Sequence, residues 1–135
     1  MKGGIIMTTN IYEFKNNFRK EHPEILAECK KLYLGEYAYE LFEELLDFFY
    51  EAEKRGMKTE FRFGRVYIKS SNFGEWYFEP CFGQITLMHK NRMPVRVGEY
   101  HTQFVKKISF RDIAVYIDEH DRARYTNEFV HFSMV

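Results

Sequence analysis

The clearest pattern in the chain is helical periodicity between two glycines. Residues 36–55 read EYAYELFEELLDFFYEAEKR, with Gly35 before them and Gly56 after them. At about 100° per residue, one arc of this stretch is apolar and the opposite arc is charged. The apolar arc contains Ala38, Leu41, Phe42, Leu45, Phe48, Phe49 and Ala52. The charged arc contains Glu36, Glu40, Glu43, Asp47, Glu51 and Lys54. The pattern predicts one long amphipathic helix with its apolar arc in a core.

Two shorter helices are predicted before the long one. Asn10 is of a residue type that caps helices, and Phe14 and Phe18 follow it at helical spacing. Pro23 suits the first turn of a second helix, which we expect to run to about Leu34. Its expected inward residues are Ile25, Leu26, Cys29, Leu32 and Tyr33.

From Met57 the period of the apolar positions changes to two. Phe61 and Phe63 alternate with polar residues, but after Gly64 the apolar positions shift by one, to Val66 and Ile68. A β-bulge at Gly64 and Arg65 would keep all four apolar side chains on one face. Residues 75–79 and 84–89 predict further strands. The short connections between these strands favour an antiparallel meander.

The rest of the chain is less regular. Residues 93–108 fit a helix and a strand about equally, so their type stays open. Ser109 and Asp112 resemble a capping box, and they open a predicted helix that ends near His120. Its expected inward residues are Phe110, Ile113, Ala114 and Ile117. Residues 127–135 alternate in polarity and are expected to form a last strand.

These elements together predict a single α+β domain over residues 1–135. Its N-terminal helices, including the long one, are expected to pack on an antiparallel sheet of three to five strands, with a C-terminal helix completing the cover. Residues 1–7 are expected to be a disordered or non-native leader, because Met7 can serve as an alternative start.

Charge is the first guide to function. Lys plus Arg and Asp plus Glu number 20 each, so the net charge is zero, which argues against a strongly basic nucleic-acid binder. Residues 58–111 nevertheless hold ten basic and four acidic residues, between two acidic flanks. A basic block therefore coincides with the predicted sheet.

The predicted binding face lies in this block. Its basic and tyrosine side chains can bind phosphates or acidic protein surface. It contains Arg62, Arg65, Tyr67 and Lys69 on one strand, with Lys90, Arg92 and Arg96 at or beyond a neighbouring turn. RFGRVYI is similar to RNA-recognition strands, but the predicted helices that open this fold do not match that family.

No catalytic or cofactor motif is present. Acidic residues surround His120, but their spacing does not bring them to one helix face, so we expect a solvated helix end and no metal. These residues are Asp112, Asp118, Glu119 and Asp121. His89 shares a face with apolar neighbours and is expected to be a hydrogen-bonded core histidine. Cys29 is expected to be a buried thiol, and no cofactor is predicted.

We therefore expect a non-enzymatic binding protein of bacterial or mobile-element origin, from a phage or plasmid. It would dock onto a larger protein or nucleoprotein. One example of such a role is an anti-CRISPR, which inhibits a host defence nuclease. The alternatives are an RNA or single-stranded DNA binding module and a metal-independent ribonuclease-like toxin. No segment is long and apolar enough for a membrane span, and two cysteines without a redox spacing suggest the cytoplasm.

Overall fold

The computed structural model describes residues 10–71, 74–90, 100–103 and 109–134, with side chains as far as residue 123. These residues form four helices and five strands. The helices are α1 (Ile11–Glu21), α2 (Pro23–Leu32), α3 (Glu36–Lys54) and α4 (Phe110–Met134). The strands are β1 (Lys58–Arg62), β2 (Arg65–Lys69), β3 (Glu75–Phe78), β4 (Leu87–Lys90) and β5 (Tyr100–Gln103). The predicted α+β class is confirmed. The predicted leader, residues 1–7, lies outside the described residues.

The sheet is an antiparallel meander in the order β1-β2-β3-β4-β5, as predicted. In the stretch 93–108, whose type the sequence left open, residues 100–103 form strand β5. The rest of that stretch lies outside the described residues. Each strand therefore lies next to the one that follows it in the sequence, with β1 and β5 at the two edges.

The predicted bulge at Gly64 is wrong. Arg62 pairs with Arg65, so Phe63 and Gly64 form a two-residue turn between separate strands β1 and β2. Both turn residues have positive φ, 54° and 75°, as type I′ hairpins require. Residues paired across strands lie on the same face, so Phe61 and Val66 still point inward together, whereas Phe63 is at the exposed tip.

The core lies between the sheet and helices α3 and α4. Every residue of the predicted apolar arc of α3 is buried. Phe48 of α3 packs edge-on against Phe78 of β3 at 5.2 Å between ring centroids, and Phe110 of α4 contacts the same ring at 6.0 Å. The predicted inward residues of α4 are also buried. The two helices therefore cover one side of the sheet, which we call the inner face.

The helix starts follow the predicted capping chemistry. The Asn10 side chain accepts a hydrogen bond from the amide of Glu13 at 2.8 Å, and the Ser109 hydroxyl accepts one from Asp112 at 3.2 Å. Pro23 occupies the first turn of α2. These caps explain why the starts were easier to predict than the ends.

Two helix ends differ from the prediction. α2 stops at Leu32, and that side chain is 43 % exposed rather than inward, because the chain turns extended at Tyr33. α4 continues to Met134, where a strand was expected. Residues 127–135 alternate in polarity, but Phe129 and Phe132 are also three residues apart, a spacing that a helix accommodates equally well.

The charged arc of α3 is less open than predicted. Asp47 pairs with Lys15 of α1 at 2.8 Å, and Glu43 pairs with Arg19 at 2.6 Å. Glu51 is buried, at 5 % exposure, where Arg111 of α4 approaches its carboxylate at 3.4 Å. Neighbouring helices therefore cover part of the arc that was expected to face water.

No helix within the described part of the chain is both long and apolar enough to cross a membrane.

Candidate functional site

The outer face of the sheet, on the side away from the core, carries most of the predicted binding residues. The strand register places alternate side chains there. The outer face consists of Lys58, Glu60, Arg62, Arg65, Tyr67, Lys69, Glu75, Tyr77, Met88, Lys90, Tyr100 and Thr102. Glu79 adjoins it just after β3. It is a polar surface with tyrosines near its centre.

Three tyrosines cross this surface in a row. The Tyr67 and Tyr77 rings lie 5.5 Å apart, and Tyr100 meets Tyr77 edge-on at 4.9 Å. Arg62 stacks on Tyr67 at 4.3 Å from the ring centroid, and Arg65 stacks on Tyr77 at 4.4 Å. Arginine on an aromatic ring is held in a flat, defined orientation. The outer face is therefore a preformed surface of guanidinium groups and rings.

The charges of the outer face are mixed. Three of its cations have carboxylate partners within about 3.3 Å of the nitrogen: Arg62 with Glu60, Arg65 with Glu79 and Lys90 with Glu75. These pairs are partly or fully exposed, so each contributes only about 0–1 kcal/mol to stability. They do, however, lower the positive potential that the sequence count suggested.

The hairpin tip projects beyond the strands. Phe63 is 84 % exposed and adopts φ 54°, which is unusual for a bulky residue. Arg62 lies 6.0 Å from its ring. A groove of about 640 Å³ runs beside the tip, lined among others by Phe63, Tyr77, Cys81 and Met88. An exposed aromatic ring thus stands next to an open groove.

The structure brings Arg62, Arg65, Tyr67 and Lys69 together on the outer face, with Lys90 on the same face two strands away. Arg92 and Arg96 lie outside the described residues. Sequence reasoning missed Tyr77, Tyr100 and Phe63. The alternation in EWYF could have revealed Tyr77, because buried Trp76 and Phe78 force the tyrosine between them outward.

A second group of polar side chains lies on the opposite side, between the inner face and α4. We call His89, His120 and Asp121 the histidine cluster. Asp121 is fully buried, and its Oδ2 accepts hydrogen bonds from the Ser70 hydroxyl at 2.6 Å and from Trp76 Nε1 at 2.8 Å. Its Oδ1 lies 3.6 Å from His89 Nε2 and 3.4 Å from His120 Nδ1. One carboxylate therefore joins α4 to the sheet.

The surroundings of the cluster are tightly packed. The His89 ring stacks on Trp76 at 3.9 Å, and His120 meets Trp76 edge-on at 5.1 Å. A Cβ at Gly74 would overlap the Asp121 carboxylate, so this position must be glycine. His89 is a core residue, as predicted. The role and position of Asp121 were not foreseen.

The predicted solvated helix end is wrong for two of the four acidic residues. Asp118 is 3 % exposed and Asp121 is fully buried, because α4 continues past His120 and packs this turn against the sheet and α3. Asp118 is paired with Arg122 at 2.6 Å and with Arg55 at 3.5 Å. Arginine neutralises Asp118, whereas Asp121 faces imidazole rings.

The cysteine thiols are not placed for nucleophilic chemistry. Both are free, and burial, reinforced by nearby Glu28, raises the pKa of Cys29 to about 12. Burial and Glu79 also raise the pKa of Cys81. A raised pKa keeps a thiol protonated, and only the thiolate is nucleophilic. Neither cysteine is therefore activated by its surroundings.

Comparison with models of known protein families, with curated proteins and with solved structures finds no match for this chain.

Proposed function

We propose that this protein is a binding protein that docks its outer face and hairpin tip onto a larger protein. The observation that carries the proposal is Phe63, a bulky aromatic residue held at positive φ and 84 % exposed. That conformation costs most non-glycine residues about 1–2 kcal/mol, and an exposed ring recovers little of it by packing. A surface role that needs an aromatic ring at this position accounts for the cost.

The composition of the surrounding surface supports the same role. Tyrosine and arginine are among the residues that contribute most to binding at protein interfaces. Here Tyr67 and Tyr77 are stacked under Arg62 and Arg65, so little side-chain freedom is lost on binding. The groove beside Phe63 offers a place for a partner side chain.

The charge pattern favours a protein over a nucleic-acid backbone. Glu60, Glu75 and Glu79 stand among the cations and would repel phosphates. A protein surface can match such a mixture group by group. The partner that fits carries acidic groups opposite Arg62 and Lys69, and an apolar pocket for Phe63.

The positions of the described histidines favour binding over the ribonuclease-like alternative. Histidine is the side chain that most often transfers protons in catalysis, and in a metal-independent ribonuclease it would lie beside the cationic groups. The sheet histidines His89 and His101 have the inner-face register, opposite to Arg62 and Arg65. Within the described residues, the sheet does not bring such groups together.

A second candidate function is binding of single-stranded RNA or DNA. The row of Tyr67, Tyr77 and Tyr100 favours it, because bases stack on exposed aromatic side chains at about 1–3 kcal/mol each. Affinity would then fall steeply with salt, and nuclease treatment would remove the bound material.

We retain two narrower hypotheses from the sequence. The protein would act in the cytoplasm of a bacterium, and its larger partner would be a host defence nuclease that it inhibits. Inhibition predicts loss of cleavage by the partner at equimolar amounts of this protein, without any cleavage of nucleic acid by the protein itself.

The test is a pull-down from source-cell extract with three versions of the full chain. The triple variant Arg62→Ala, Arg65→Ala, Lys69→Ala should lose the partner but keep its fold, because its ion pairs are exposed. The control, Tyr12→Ser, removes from α1 an aromatic ring that is about as exposed as Phe63 (77 % against 84 %). This variant should retain the partner, before and after nuclease treatment. Identical partners for all three versions would move the docking surface elsewhere.

A further inference from the structure

We propose that the histidine cluster is a binding site for a divalent transition metal of the Zn²⁺ class. One donor atom from each of His89, His120 and Asp121 lies within 4.8 Å of the other two. Two imidazoles and one carboxylate are a ligand set that zinc uses. The ligands come from β4 and α4, which are far apart in sequence, so residue spacing does not reveal the site.

The distances suit a small ion. A tetrahedral metal with bonds of about 2.0–2.1 Å holds its ligand atoms about 3.3–3.4 Å apart. Asp121 Oδ1 lies 3.4 Å from His120 Nδ1 and 3.6 Å from His89 Nε2. The donor atoms of the two imidazoles lie within 4.8 Å of each other, so coordination requires them to approach by at most about 1.5 Å.

The carboxylate is oriented as a ligand. Its Oδ2 accepts both the Ser70 and Trp76 hydrogen bonds, which leaves Oδ1 directed at the two imidazoles. Hydrogen bonds of this kind hold a metal-ligating carboxylate in place and are a common feature of metal sites. Ser70 is itself fixed, because its hydroxyl accepts a hydrogen bond from the amide of Gly74.

Charge also favours a cation here. A fully buried carboxylate is costly unless a positive charge compensates it. The neighbouring Asp118 has Arg55 and Arg122, whereas the ion pairs described for Asp121 are only with histidines. The His120 side chain is 21 % exposed, so this side of the cluster lies close to solvent.

The experiment uses the full chain after chelation and desalting, with Zn²⁺ titrated by calorimetry and Co²⁺ by its visible d–d absorption. We expect one equivalent of each metal to bind. Free Zn²⁺ at about 100 times its Kd should raise the midpoint of thermal unfolding by about 5 °C or more.

Variants separate this site from incidental binding. His120→Ala should weaken the affinity for Zn²⁺ by at least about 100-fold. Loss of a side chain that only hydrogen-bonds to a metal ligand already lowers metal affinity by about 10–100-fold. Asp121→Asn should do the same, while its amide oxygen can still accept the Ser70 and Trp76 hydrogen bonds. The control, His22→Ala, removes a surface histidine that pairs with Glu24, and should leave binding unchanged. Circular dichroism confirms that each variant is folded.

Failure of Zn²⁺ and Co²⁺ to bind the wild-type chain would overturn the proposal, as would equal binding by the wild type and folded His120→Ala. The cluster would then be a hydrogen-bonded histidine–aspartate network that joins α4 to the sheet.

Discussion

Gly74 shows how a single missing side chain permits the buried network around Asp121. The carboxylate occupies the space that a Cβ at this position would take. We expect Gly74→Ala to lower the free energy of unfolding by more than about 2 kcal/mol, because overpacking a tight core forces neighbours out of place. Urea denaturation measures the change.

A double-mutant cycle identifies the obstacle. In an Asp121→Ala background the space is open, so the additional cost of Gly74→Ala should fall below about 1 kcal/mol. An equal cost in both backgrounds would mean that the backbone at Gly74, rather than the carboxylate, requires glycine.

Phe63 provides the opposite case, a residue that the fold itself does not favour. Phe63→Asn creates the Asn-Gly pair preferred in type I′ turns, and asparagine tolerates positive φ. We expect the free energy of unfolding to rise by about 0.5–1 kcal/mol in urea melts. Partner binding should weaken at the same time, since the aromatic ring is lost.

Tyr12→Asn is the control for this gain, because Tyr12 is similarly exposed but lies in α1 with a helical backbone. It should give no stabilisation. A decrease of more than about 1 kcal/mol for Phe63→Asn would show that the ring stabilises the fold by more than the positive φ at this position costs.

At the scale of elements, α3 is the best test of the core. Leu45 is fully buried in the middle of its apolar arc, so Leu45→Ala should cost about 2–5 kcal/mol in urea denaturation. Glu40→Ala, on the exposed side of the same helix, should cost less than about 0.5 kcal/mol. Similar small effects at both positions would contradict the packing of α3 on the sheet.

Elements with a strong periodic pattern could be predicted from the sequence. The apolar arc of α3 repeats at 3.6 residues over its whole length, and its flanking glycines Gly35 and Gly56 both have positive φ. The hairpin was mistaken for a bulge because Phe-Gly lacks the usual sequence signal of a two-residue turn. A bulge and this hairpin place Arg62, Arg65 and Tyr67 on a common face, so the orientation was right although the topology was wrong.

Long-range contacts could not be predicted in this way. His89 and Asp121 meet only because the strand order places β4 beside β3 and because α4 packs over the inner face at this point. The burial of Glu51 and Asp118 has the same origin, since their arginine partners come partly from other helices. Local periodicity assigns such carboxylates to solvent.

At the scale of the whole molecule, the two faces of the sheet have different chemistry. The inner face holds the core and the buried carboxylate, whereas the outer face presents arginine and tyrosine without contributing to that core. Substitutions on the outer face should therefore change binding with little change in stability. This separation is what makes a docking role testable without unfolding the protein.

The most direct measurement of that role is site-specific photo-crosslinking in source-cell extract, with a benzophenone side chain at position 63 or, as the control, at position 12. Both positions carry exposed aromatic rings in the wild type. The docking account predicts one protein adduct from position 63 that survives nuclease treatment, and none of that adduct from position 12. Excess unlabelled wild-type protein should abolish the adduct, and the Arg62, Arg65 and Lys69 triple variant should not. No protein adduct from position 63, or the same adduct from both positions, would contradict docking through the outer face and hairpin tip.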